Sequence, residues 1–409
     1  MLKAKICIIG AGPAGSTLAL FLAKKGIPST LIDKATFPRD KICGDALSGK
    51  VVQQFKRLGT EIHSDFVKQQ FLLGSWGVTF GSPKQETIEI PFKKNGTTLK
   101  NAPGFIAKRI DFDNYLVENC KSNDLIDVRE SFWITDWKRE GGGWRVFGKN
   151  SADLYCDLIV AADGAHSAFA KKEAGIEVDA KHHSVGLRAY VSGVEGFNDQ
   201  NYIELLFLKG LLPGYFWLFP MKNGLSNVGL GIRSDVIKSK KHNLKKLFFE
   251  IVERDSVLKK RFTNAKIMGD VKLFPLPLGS VKRKIHGDGY ILLGDAAAII
   301  DPFTGEGIGN AMVSAEIAAD TIEDLVEENV FSEGRLKNYE DNLYKKIGQE
   351  LSLSYRMQRL ANYPTLFNFI IGKAKRNPAL RDLISCMFDD LDLRKSLKKP
   401  SFYLNLLFK

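Results

Sequence analysis

Four groups of residues have the types and spacing to do chemistry. The first is Gly10-x-Gly12-x-x-Gly15, with Asp33 further on. Gly10 permits a tight turn, Gly12 lets a pyrophosphate approach the backbone, and Gly15 lets a helix pack close to a strand. The helix N-terminus attracts the phosphate charge, and Asp33 can accept from a ribose hydroxyl. Ala14 inside the loop and Lys34 beside the acid share that candidate site. The second group is Asp163-Gly164 in "IVAADGAHS". The third is "ILLGDAAAIIDPFTGEGIGNAM", with Gly294-Asp295, then Pro302, Gly305, Gly307 and Ile308. The first group alone does not separate FAD from NAD. An acid at a strand end, followed by a glycine-rich loop entering a helix, supplies what a flavin also needs: a ribityl partner and backbone donors for the ring carbonyls. The fourth group pairs "KICGDALSG" (41–49) with Tyr215-x-Trp217-x-Phe219-Pro220. Alternate residues of a strand point the same way, so the three aromatics predict one aromatic wall. Cys43 is inert packing or a small polarizable donor near a reactive site.

These groups need elements to hold them. "AKICIIG" predicts a buried strand, "TLALFLAKKG" an amphipathic helix closed by Gly26, and "STLIDK" a second strand. "RIDFDNYLVENC" (109–120) predicts a helix, and "DWKREGGGWRVFG" a hairpin turning on its three glycines. Short strand-like runs fill about 70–105 ("LLGSWGVTFGS", "ETIEIPF", "KKNGTT") and 180–275, with a helical insert near 239–262. The nucleotide-binding features are therefore discontinuous. The expected fold is α/β: a Rossmann-type FAD-binding domain (1–70, 101–178 and 276–335), an inserted antiparallel-sheet substrate domain (71–100 and 179–275) and a helical C-terminal region (336–409).

Composition narrows the classes. A chain of 409 residues can build two substantial cores, and 44% hydrophobic with 26% charged residues is ordinary for a globular protein. Five scattered cysteines without a CxxC pair argue against a disulfide framework, a zinc or iron–sulfur site, and an iron–sulfur quinone-reducing dehydrogenase. The opening residues go straight into a strand and a glycine turn, so a secretory signal is not expected, and no apolar run nears the roughly 20 residues of a membrane span. The expected location is cytoplasmic, with peripheral contact at the inner membrane face left open. The net charge of +12 gathers in "KSKKHNLKK" (238–246), "VKRK" (281–284) and "LRKSLKK" (393–399), with no aromatic ladder between, so nucleic acid is not an expected partner. These clusters read as a solvated face or as attraction to phosphates or a membrane surface.

Taken in order over roughly residues 3–330, the glycine loop, the DG segment and the GD segment resemble the flavoprotein family of aromatic hydroxylases, flavin-dependent halogenases and geranylgeranyl reductases. The resemblance implies that Asp295 contacts the ribityl chain and that Asp163 and Gly164 lie near the pyrophosphate. It also implies that Arg109 in "KRIDFDNYL" contacts the cofactor. "YFWLFP", with Gly229 downstream, resembles the YxWxFP motif of the geranylgeranyl reductases more than the WxWxIP of the halogenases. The Cys43-Gly44 pair matches theirs in a loop reaching the flavin ring. The activity this likeness implies is reduction of carbon–carbon double bonds with electrons passing from NAD(P)H through FAD, with Cys43, Tyr215 and Trp217 at the reaction site. The substrate expected is apolar, isoprenoid or lipid-like, carrying an anionic headgroup or held by an acidic carrier protein. The alternatives are a monooxygenase or halogenase acting on an aromatic or carrier-bound substrate, and a flavin-binding sensor without turnover. The chain departs from the family at Ala298 and Ala315, where relatives commonly have glycine, and the last seventy residues match no family pattern.

Overall fold

The structure is a computed structural model that describes residues 2–92, 101–149, 151–377 and 381. "KKNGTT" (93–98), "LRKSLKK" (393–399) and "SFYLNLLFK" (401–409) lie outside the described residues. One eight-stranded sheet carries the nucleotide-binding loop. Its path runs His286–Gly287, Tyr290–Leu292, Leu154–Ala161, Leu2–Ile9, Ser29–Ile32, Ile126–Arg129. Leu2–Ile9 is parallel to both of its neighbours, and Ile6 to Ile9 are buried, as a parallel strand covered on both faces requires. The helix Pro13–Lys24 is enclosed over Pro13 to Ala23 rather than amphipathic, because it packs between this sheet and the helix Ile308–Val326. The expected hairpin forms from Trp133–Glu140 and Gly143–Lys149. Only Gly141 and Gly142 make its turn, with φ of 60° and 86°. Gly143 already belongs to the strand, where a Cβ would lie 2.4 Å from the Cys156 carbonyl oxygen.

The second eight-stranded sheet is mostly antiparallel and follows the aromatic strand Tyr215–Pro220. That strand pairs with Leu225–Arg233 on one side and Ile203–Leu206 on the other, and Ile203–Leu206 pairs parallel with Gly77–Gly81. The helical insert starts earlier than the sequence suggests and comprises Ser234–Lys240, Leu244–Arg254 and Ser256–Arg261. A small third sheet joins Ala46–Leu47, Gly104–Ile106 and Leu73–Ser75. It places the end of "KICGDALSG" against the chain that enters the helix Arg109–Lys121.

Two C-terminal helices brace both halves. Glu333–Leu360 sends the hydroxyl of Tyr339 to the Leu292 carbonyl (2.7 Å) and Glu350 to the buried ammonium of Lys50 (2.7 Å). The helix Pro364–Ala374 sets Phe367 4.6 Å, centroid to centroid, from Phe207 beneath the aromatic strand. Removing one member of a buried ion pair is strongly destabilising. The variant Lys50→Met is therefore expected to lose about 3 kcal/mol of stability in urea unfolding; an unchanged midpoint would show that Lys50 does not brace the C-terminal helix.

Candidate active site

A cleft of about 460 Å³ runs between the two large sheets. At one end the helix Pro13–Lys24 begins at Gly12 with no side chain capping its amides. Gly10 stands at φ 102°, and a Cβ on Gly15 would fall 1.9 Å from the Gly10 carbonyl oxygen, so these glycines are required by contact. Asp33 is fixed by two backbone amides, Ala11 N–H to Oδ2 and Ala35 N–H to Oδ1, each 2.8 Å. Gly10, Gly12, Ala14, Asp33 and Lys34 line this end, and Asp163, Gly164 and Asp295 line its flank. Burial pushes the Asp163 carboxyl up to about 6. Gly305, Gly307 and Ile308 line the opposite wall. Gly15 and Pro302 stand behind the wall: Gly15 packs on Gly10, and the buried Pro302 carbonyl accepts from Gln358 (2.6 Å).

Arg109 is buried and lines the cleft at the loop that carries Cys43. Its guanidinium grips Asp113 twice, at 2.7 and 2.8 Å, and also reaches the Cys43 sulfur. Burial works against its charge, but Asp113 and Cys43 outweigh it and raise its pKa. Cys43 is partly open to the cleft. Burial of its sulfur raises the thiol pKa, and the Arg109 charge opposes that rise. Asn227 holds the loop from the other sheet. Its Nδ2 donates to the Cys43 carbonyl (2.8 Å) and to Asp45 Oδ2 (2.9 Å), while its Oδ1 accepts from Trp217 Nε1 (2.9 Å). Gly44 thereby comes so close to the aromatic strand that a Cβ would lie 3.2 Å from the Phe219 ring. Gly229 lies still closer under Trp217, where a Cβ would stand 2.2 Å from the indole.

Tyr215, Trp217 and Phe219 all line the cleft, with successive ring centroids 6.3 Å apart. The Tyr215 hydroxyl donates to the Thr304 carbonyl (2.6 Å), tying the aromatic strand to the glycine loop of the other half. Beyond them Phe92, Ile203, Leu205 and Leu276 make this end apolar.

A family model described as an FAD binding domain matches residues 3–342. The chain belongs to the FAD binding domain family. It is an FAD-dependent oxidoreductase, similar to the digeranylgeranylglycerophospholipid reductases. It is 28% identical over 376 residues to the menaquinone reductase of Mycobacterium tuberculosis, covering 88% of this chain and 85% of that protein. It is also 28% identical over 399 residues to digeranylgeranylglycerophospholipid reductase 1 of Methanosphaera stadtmanae, covering 95% and 87%. Among solved structures, a geranylgeranyl bacteriochlorophyll reductase-like protein of Thermoplasma acidophilum superposes with a TM-score of 0.80 at 22% identity, over 97% of this chain and 99% of that one. A flavin-dependent brominase gives 0.76 at 22%, over 99% and 98%. At such identities the likeness to solved structures is one of fold.

The cleft fits FAD by its own chemistry: uncapped helix amides at Gly12, an acid already oriented by two backbone donors, and a tight loop that Gly10 and Gly15 allow because a Cβ at either would strike backbone. Several residues of this flavoprotein site carry no role legible in the sequence. Lys41 lies in the cleft with its ammonium 3.1 Å from the centroid of Phe274, and burial pushes its pKa down to about 8. Arg188 and Phe274 also line the cleft, and Tyr190 donates to Asp45 (2.6 Å). Asn227 left one trace, a polar residue in the apolar run "LSNVGLG". Ala298, where the family resemblance implies glycine, takes the left-handed conformation glycine favours, φ 51°. Removing the Asn227 amide leaves the Trp217 N–H and the Cys43 carbonyl unpaired. The variant Asn227→Leu is expected to lose about 3 kcal/mol in urea unfolding and to shift Trp217 emission to the red. Unchanged stability and emission would mean that the amide does not hold the loop.

Proposed function

We propose that this oxidoreductase reduces carbon–carbon double bonds of an apolar, isoprenoid or lipid-like substrate, with electrons drawn from NAD(P)H. The observation that carries the reading is the Asn227 amide, which binds the Cys43 loop to Trp217 at the apolar end of the cleft. Bound and reduced, FAD supplies the hydride. Tyr215, Trp217 and Phe219 hold an unsaturated chain by apolar contact, and their enclosure keeps water from the reacting carbons. Burial keeps the Cys43 thiol protonated at neutral pH. Its Sγ–H then gives a proton to the carbon beside the one that takes hydride, and Arg109 stabilises the thiolate left behind.

The named activities of the relatives, on menaquinone and on digeranylgeranylglycerophospholipid, support a substrate with an isoprenoid chain. Lys41 and Arg188 along the cleft suit an anionic headgroup, pyrophosphate or acidic carrier. Peripheral contact with a membrane is part of this reading. Tyr363 and Phe369 are exposed on the C-terminal helical region, beside the basic Arg359 and Lys375. No helix among the described residues is long and apolar enough to cross a membrane. The monooxygenase or halogenase alternative rests on shared fold.

The test is turnover of an isoprenoid lipid with NAD(P)H. Cys43→Ala is expected to bind flavin in full and to reduce the double bond about 100-fold more slowly, with Cys43→Ser between it and the wild type. Equal turnover would remove Cys43 from the reaction, and oxygenated or halogenated product in place of saturated product would overturn the reductase reading.

A further inference from the structure

Asp45 is the cleft residue whose placement is hardest to reconcile with a purely structural role. Its side chain is fully enclosed, and its backbone holds φ at 66°, a region that side-chain-bearing residues adopt under strain. Tyr190 and Asn227 both donate to Oδ2, while Oδ1 has no partner. No ion pair reaches the carboxylate among the described residues, although Arg109 and Arg188 lie near enough to act on it. Asparagine would accept the same two hydrogen bonds without a charge and takes the left-handed backbone more readily. What an acid adds at this position is a proton.

We propose that Asp45 is a buried proton store that reloads Cys43 after each turnover. The inference rests on the alkene reduction proposed above. When the Cys43 S–H bond breaks and the new C–H bond forms, a thiolate remains. The Oδ1–H of neutral Asp45 then breaks as S–H re-forms. The carboxylate recovers its proton through Tyr190, whose hydroxyl gives its own proton to Oδ2 and takes another from water, and a half-turn of the carboxyl about its Cβ–Cγ bond brings the O–H back to the Oδ1 position. One hydride and one proton add to each double bond, and water supplies the proton.

The surroundings agree with that direction of transfer. The Asp45 amide donates to the Cys43 sulfur, so the two residues are in contact. Burial pushes the Asp45 carboxyl up to about 6, against the pull of Tyr190, Asn227, Arg188 and Arg109. The thiol lies above its ordinary range, so a proton moves downhill from the carboxyl to the thiolate. The titratable and charged groups facing Asp45 are Cys43 on its own loop, Arg109 from the helix, and Arg188 and Tyr190 from the strand His183–Ser192. The proton is held below about pH 6 and lost as pH rises through that value.

The test compares holoenzyme of wild type and Asp45→Asn in kcat for double-bond reduction from pH 5 to 8. Wild-type kcat is expected to fall as pH rises past about 6. The variant should be about tenfold slower than wild type at pH 5.5 and equal to it at pH 8, with unchanged KM and flavin content. Asp45 is a positioning residue for Cys43, and a merely structural role would lower kcat at every pH alike. In parallel, infrared difference spectra of the flavin-loaded proteins between pH 5 and 7 should show a protonated-carboxyl band that is weaker in the variant by the Asp45 contribution, with the Asp163 contribution retained. Equal profiles for the two proteins, a flat wild-type profile, or an identical band in the variant would each overturn the proton store while leaving the reductase reading standing. A wild type that reduces no isoprenoid overturns both.

Discussion

The amide of Asn227 is the contact on which the arrangement of the site depends. It is buried, and its three hydrogen bonds run to Trp217, to the Cys43 carbonyl and to Asp45. Without it the Trp217 N–H and the Cys43 carbonyl would have no partner and Asp45 Oδ2 would keep only Tyr190, and a buried unpaired group costs about 1–3 kcal/mol. The loop that meets the flavin site and the strand that walls the apolar end are thereby held as one unit. Gly44 and Gly229 are consequences of that closeness, since a side chain at either would push the loop or the indole out of place.

Similar ties recur across the molecule. The Tyr215 hydroxyl on the Thr304 carbonyl joins the aromatic strand to the glycine loop before Ile308–Val326. Lys50 and Glu350 join the helix after the Cys43 loop to the long C-terminal helix. The cleft lies where these ties converge, with backbone amides and a fixed acid at one end and aromatic rings at the other. A flavin and the unsaturated chain proposed as substrate make different demands on their surroundings, and each sheet is proposed to meet one of them.

How much of this was legible in the sequence depends on how far each feature reaches along the chain. Gly10, Gly12 and Asp33 belong to one short strand–turn–helix unit, so their spacing was enough to place them at the cleft. Gly15 and Pro302 belong to the same motifs but stand behind the wall, because motif membership does not say which way a residue faces. The aromatic wall was readable from strand alternation alone. Asn227 was not, because its role depends on the register of Leu225–Arg233 against Tyr215–Pro220 and on a loop 184 residues away. The helix Pro13–Lys24 has an amphipathic pattern on paper. Its buried outer face reflects packing by Ile308–Val326, far along the chain. Asp45 stands out in sequence only as a neighbour of Cys43, since burial and an unpartnered oxygen leave no mark there.

The central claim is that the cleft passes electrons to a double bond and not to oxygen. Anaerobic single turnover tests it most directly: protein with reduced flavin is mixed with a geranylgeranyl-bearing lipid while flavin absorbance and product are followed together. The account predicts that the flavin reoxidises without oxygen, at the rate at which the saturated bond appears and in equal amount. A flavin that stays reduced until oxygen is admitted, and then yields an oxygenated product, would contradict it.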